Sequence, residues 1–232
     1  MKKVGFIGAY DKTDLIIYVA KILTTLKKKV LVIDATINQK ARYVVPVINP
    51  TTMYVTEYEE IDIAVGFTNI EDIKKYLGVP EDKELEYDII FVDTDNIEGF
   101  NNFNLQEAQK NYFVTSFDIY SLKKGLEIFN ELKATVSLTK ILFSRDMLKE
   151  EDDYLNFLSL GRKIIWNENR VYFPIENGDL CAIYENQRVS KIKFKNLSIQ
   201  YKDGLAYLAE EILGDVSEMQ IRRAIKLIEK GV

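Results

Sequence analysis

The residues best able to do chemistry lie in the first hundred positions: Gly8, Lys12 and Thr13 in VGFIGAYDKT, Asp34 closing KKVLVID, and Asp93 closing YDIIFVD. A glycine that breaks an apolar strand, followed by Lys-Thr at the start of a helix, can gather an anion. The helix N-terminus carries partial positive charge, and backbone N–H groups and the lysine converge there. That spacing is the outline of a phosphate-binding loop, in which Lys12 would meet phosphate and Thr13 a magnesium ion. Asp34 and Asp93 fall at the carboxyl ends of strands, where α/β proteins keep their sites, and are candidates for a magnesium site.

The outline is kept and much of its chemistry is changed. Ala9, Tyr10 and Asp11 stand where a phosphate cradle needs glycine, and Asp11 and Asp14 flank Lys12, so the local charge opposes a polyphosphate. Each candidate therefore has a plain structural reading beside the functional one. Lys12 would be a solvated loop residue pairing with Asp11 or Asp14, Thr13 a helix N-cap, and Asp34 and Asp93 strand-end acids on a wet crevice. Cys181, the single cysteine, reads as a small core residue.

The elements that must position these residues alternate along the chain. A strand to Ile7, a helix over 15–26 and a strand over 30–33 come first, with a loop punctuated by Pro46 and Pro50 and short strands over 53–58 and 61–65 after them. No chemical role is assigned to 35–66. Asn69 caps a helix stopped by Gly78 and Pro80, and 87–94 is an apolar strand. A strand over 112–115, a helix capped at Asp118 or Ser121, a strand over 140–143, a surface helix over 149–160 and a strand over 171–174 follow. Helices over 203–213 and 218–228 close the chain. The pattern predicts an α/β fold: three layers, a mostly parallel sheet with helices on both faces, in one domain over 1–232.

Composition narrows the function. The 232 residues are 47% apolar and 29% charged, with a net charge of −5, so a polyanion is not the default partner and nucleic acid is not expected. The chain has no histidine, which excludes a histidine-based triad, and a single cysteine, which excludes an intramolecular disulfide and a Cys/His zinc site. No signal-peptide pattern or membrane-length apolar run is seen, and the expected location is cytoplasmic.

In order, these segments resemble the ParA/MinD family of P-loop ATPases with the deviant Walker A motif (the SIMIBI class), which position plasmids, division machinery, pili and other cargo. VGFIGAYDKT is similar to the family's first strand and K-G-G-x-G-K-[ST] loop, KKVLVIDAT to its D-x-D strand, and YDIIFVDT to its Walker B strand. VYFPIENGDLCAIYENQ resembles the P-x-x-x-x-x-x-x-A stretch and YKDGLAYLAEEILG the closing helix. The resemblance implies a P-loop NTPase-like fold and ATP with magnesium at Gly8, Lys12, Thr13, Asp34 and Asp93, the metal at Thr13 and Asp93.

The departures point to a degenerate member. Ala9 lies where the family's cross-dimer lysine is expected, Thr36 replaces the second acid of D-x-D, and Ser144 and Arg145 replace the asparagine that reads adenine. A threonine cannot act as the water-positioning base. Two functions follow as expectations. One is a scaffold of TadZ-like kind that keeps the fold, a homodimer and a protein partner without appreciable ATP hydrolysis. The other is a slow Mg-ATP-dependent ATPase whose dimerisation nucleotide controls. In the segment 217–230, Ile221, Ala224, Ile225 and Ile228 share one helical face bordered by Arg222, Arg223, Lys226 and Lys230. That face either packs on the domain, the favoured reading, or makes a weak peripheral contact with the inner face of the membrane.

Overall fold

Apolar runs without alternation become strands covered on both faces. The computed structural model describes residues 1–48, 51–144 and 149–231. β1 (Lys2–Ile7) leads to α1 (Thr13–Thr25), β2 (Val30–Asp34), a short α2 (Ala41–Val44), β3 (Tyr54–Tyr58), β4 (Ile61–Val65) and α3 (Ile70–Leu77). β5 (Ile89–Thr94), α4 (Ile97–Asn102), β6 (Lys110–Ser116), α5 (Ile119–Glu127), β7 (Val136–Ser144) and α6 (Lys149–Leu158) continue the alternation. β8 (Ile164–Pro174), α7 (Asn177–Arg188), α8 (Ile199–Leu213) and α9 (Glu218–Lys230) complete it.

The strands form one sheet in the order β3-β4-β2-β5-β1-β6-β7-β8, parallel except for β3, which runs antiparallel to β4. Successive side chains of a strand point to opposite faces. Val30 and Val32 of β2 therefore join the layer built by α1, α7, α8 and α9, whereas Leu31 and Ile33 join the layer that includes Ile73, Phe100, Leu122 and Leu155. From β1 the chain turns to one side for β2 and later crosses to the other for β6. The carboxyl end of β1 is therefore a topological switch point, where a crevice must open.

Local signals act as their chemistry predicts. The Asn69 side chain accepts the Asp72 N–H at the start of α3, and Gly78 ends that helix at φ 69°; Asp118, rather than Ser121, caps α5. Other stretches differ from the sequence reading. β7 and β8 extend well before 140 and 171, and 177–188 is a helix. Cys181 is exposed on that helix, not in the core, because Asp179, Ala182, Ile183 and Asn186 form its buried side. Pro50 lies outside the described residues.

The apolar face of α9 is spent inside the fold. Ile221, Ala224, Ile225 and Ile228 are all buried, in the cluster shared with α1 and α8, while Arg222 on the outer side pairs with Glu218 and Asp203. Among the described residues, no helix is long and apolar enough to cross a membrane.

Candidate functional site

The site begins with the turn that leaves β1. Gly8 has φ 146°, and a Cβ there would clash with the Val114 carbonyl of β6, so glycine is required for the chain to leave the sheet here. Its N–H donates to the Thr94 carbonyl at 3.1 Å. The turn folds Lys12 inward. Lys12 Nζ donates to the Gly8 carbonyl at 2.8 Å and forms an ion pair with Asp93 Oδ1 at 2.7 Å. Lys12 is only 3% exposed and Asp93 2%. Burial pushes the Asp93 carboxyl up to about 7; Lys12 opposes that rise, and the neighbouring Asp34 and Asp11 charges add to it.

Lys12 is therefore neither solvated nor paired with Asp11 or Asp14, as its plain reading had it. Asp93 is the last residue but one of β5, the strand beside β1, and lies within reach of a lysine at the cap position of α1. The partner of Asp11 and Asp14 is Lys40, whose Nζ lies 2.5 Å from Asp11 Oδ2 and 2.7 Å from Asp14 Oδ2. Burial alone would lower the Lys40 ammonium, but the charges of Asp14 and Asp11 outweigh it and hold its pKa above the ordinary value. Asp14 also accepts two contacts from Gln187 Nε2 of α7, at 2.8 and 3.0 Å.

Thr13 is the first residue of α1 and not its cap; its N–H donates to Asp11 Oδ1 at 3.2 Å. Asp34, 1% exposed, is not a wet strand-end acid. Its Oδ1 accepts the Thr36 N–H at 3.1 Å and the Thr36 hydroxyl at 2.6 Å, and its Oδ2 accepts the Ala41 N–H at 2.9 Å. Both oxygens of Asp34 thus shape the segment that follows β2.

Gly8, Lys12, Thr13 and Asp93 line a crevice of about 470 Å³ together with Thr36 and Lys40; Asp34 does not line it, and reaches it only through its bond from Thr36. A second hollow of about 310 Å³ shares Tyr10 and Lys40 with the first and is walled by Phe143, Pro174, Tyr184 and Tyr201. The Tyr10 ring packs on Phe143 with centroids 4.8 Å apart. The Ser144 carbonyl accepts the Ile175 N–H at 3.0 Å; Arg145 lies outside the described residues.

Tyr10, Asn38, Lys40, Tyr43 and Asp95 also line this crevice and were given no role from sequence. The signal for Lys40 was indirect: two carboxylates beside Lys12 demand a counter-ion, and only the fold shows that it comes from the segment after β2. As arranged, three of the crevice's donors are taken up by the chain's own groups. Lys12 is engaged by Asp93 and Gly8, the Thr13 N–H by Asp11, and Lys40 by two carboxylates.

A mostly parallel sheet flanked by helices, with a Lys-Thr loop at the carboxyl end of its central strand, is the P-loop NTPase fold of MinD and ParA proteins. No known family profile and no curated protein matches the sequence, but solved structures match the fold. The MinD cell division protein of Aquifex aeolicus superimposes with a TM-score of 0.60 at 14% identity, over 94% of this chain and 98% of that one. The same protein in a MinC:MinD complex gives 0.55 at 15%, over 94% and 98%. A Cyanothece McdA variant in complex with ATP gives 0.58 at 13%, over 94% and 98%. A ParA family ATPase of Chlorobium tepidum gives 0.53 at 15%, over 98% and 97%. At these identities the likeness carries the fold alone.

Proposed function

We propose that this chain is a catalytically degenerate ParA/MinD-like protein, a pseudo-ATPase that serves as a localisation or assembly scaffold. It positions a cargo such as a pilus apparatus or a partition complex through protein contacts, in the manner of TadZ-type members. The observation that carries this reading is the internal use of the crevice: the Lys12 and Lys40 ammonium groups and the Thr13 N–H each already face one of the chain's own carboxylates. Hydrolysis also lacks its base, because Thr36 stands in the place of the second acid and its hydroxyl donates to Asp34. The reading includes a homodimer formed without nucleotide, a protein partner in place of nucleic acid, and a cytoplasmic site of action. A MinD in complex with MinC supports partnership of that kind.

The second reading, a slow ATPase with ATP and magnesium at Gly8, Lys12, Thr13, Asp34 and Asp93, is favoured by one observation. Four of those residues, all but Asp34, still line a single crevice.

Thermal unfolding with and without Mg-ATP separates the two. A ligand at 100 times its Kd stabilises by about 2.7 kcal/mol, which for a domain of this size raises Tm by about 5 °C or more. We expect no such shift, no phosphate release that depends on Lys12, and the same dimer mass by light scattering with and without nucleotide. A shift of that size, with phosphate release abolished in Lys12→Ala, would replace the first reading by the second.

A further inference from the structure

We propose that the outer face of α6 is the surface on which two copies of this chain meet, away from the crevice. This deepens the homodimer of the proposed function and rests on it, by naming where a dimer formed without nucleotide is joined. The contact belongs to the helix and not to the strand beneath it. β8 ends the sheet, and among the described residues its outer edge carries no strand. Its register against β7 jumps, however, from Leu138 opposite Trp166 to Lys140 opposite Arg170, so that 167–169 stand against Thr139 alone. A bulge of that kind in an edge strand blocks the addition of another strand. α6 is fixed over this margin by its inner side, which buries Leu155 and makes several polar contacts. Lys140 Nζ, beside the Trp166 ring, donates to Asp152 Oδ1 and to Asn156 Oδ1, both at 2.6 Å. Arg170 also donates to Asp152, and Trp166 Nε1 donates to Ser159 Oγ at 2.9 Å.

With that side pinned to the sheet, Tyr154, Phe157 and Leu160 form a stripe along the outside, 40%, 66% and 72% exposed. Large apolar side chains on a helix already held in place lose little freedom when they are covered. The charges at the two ends of the stripe identify what covers it. Before it stand Glu150 and Asp153, exposed and without an ion pair among the described residues. After it stand Arg162 and Lys163, whose hydrogen bonds go to carbonyls: Arg162 donates to Leu126 and Leu158, and Lys163 to Lys133. A surface that is acidic at one end, apolar in the middle and basic at the other complements itself when turned end for end. A twofold axis at Phe157 lays α6 antiparallel on its copy, sets Tyr154 against the partner's Leu160, and brings the acids of each copy to the bases of the other.

Sedimentation velocity on the full chain, over a range of protein concentrations and without nucleotide, tests this. The wild type is expected to dimerise. Phe157→Glu should weaken the dimer by more than about tenfold, since it removes the central anchor and sets two carboxylates against each other at the axis. Lys163→Glu, and Glu150→Lys combined with Asp153→Lys, should each weaken it by less, as charges at a rim do. All three charge reversals together should recover part of that loss, a rescue that damage to the fold would not give. A wild-type dimer that Phe157→Glu and the charge reversals leave unchanged overturns the assignment to α6 while the nucleotide-free dimer stands. A wild type that is monomeric throughout, or dimeric only with Mg-ATP, overturns the reading on which the assignment rests.

Discussion

The Lys12–Asp93 pair makes the stability of the protein depend on pH in an unusual direction. A buried carboxyl held at about 7, against an ordinary 3.8, keeps its proton in the folded state where the unfolded chain has already lost it. Stability from this group therefore falls as pH rises from about 4 to about 7, and is level above that. Lys12 is what ends the fall near 7, because its ammonium, 2.7 Å away, favours the ionised form. Replacing it by methionine removes that support, moves the carboxyl higher, and prolongs the fall. The stability lost by Lys12→Met should then grow above pH 7 by up to about 1.4 kcal/mol per pH unit, reaching roughly 3 kcal/mol more at pH 9 than at pH 6.5. The high-pH loss falls in the range of about 3–5 kcal/mol for breaking one side of a buried pair. Urea unfolding of both proteins at pH 6.5, 7.5 and 9, followed by far-ultraviolet circular dichroism, gives the difference at each pH. A loss that is the same at all three would refute the reasoning, since Asp93 would then not be the group that Lys12 supports.

Two more outcomes follow from geometry alone. Gly8→Ala should destabilise the fold by about 2 kcal/mol or more, since the residue adds a positive-φ penalty to a clash with the Val114 carbonyl; a melting temperature equal to that of the wild type would contradict it. The full chain should stay in the supernatant when anionic vesicles are sedimented at low salt, because the apolar residues of α9 are buried against the domain. Co-sedimentation would show that the helix leaves its seat.

Much of the fold was legible because its signals are local. The apolar runs of β1, β2 and β5, the Asn69 cap and the glycine stops at Gly78 and Gly214 depend on neighbours within a few residues. The helix over 177–188 was missed because its buried side mixes Asp179 and Asn186 with Ala182 and Ile183, so no clean apolar stripe marks it. The site divided in the same way. The crevice residues Gly8, Lys12, Thr13 and Asp93 could be named from spacing, but not what each one touches. Whether Lys12 meets Asp11, Asp14 or Asp93 depends on β5 lying beside β1, a contact between residues far apart in sequence. Lys40 was unreadable for the same reason, since nothing within its own segment reveals the two carboxylates that wait for it.

The place of β1 in the sheet also sets an order of events during synthesis. β1 lies inside the sheet but precedes both of its partners in the chain, which begin only at Ile89 on one side and Lys110 on the other. By Val65 the chain can already zip β2, β4 and β3 together, since those three are neighbours. β1 cannot join them, because β5 must stand between it and β2. At about 5–20 residues per second, the nascent chain carries an unpaired strand for several seconds or more. During that time Val4 and Phe6, all but wholly buried in the finished protein, have only α1 to cover them, and Ile7, on the opposite face, has not even that. Contacts of such long sequence separation fold slowly, and the lag in synthesis comes before that step. β1 is thus the last strand of its half of the sheet to find a place.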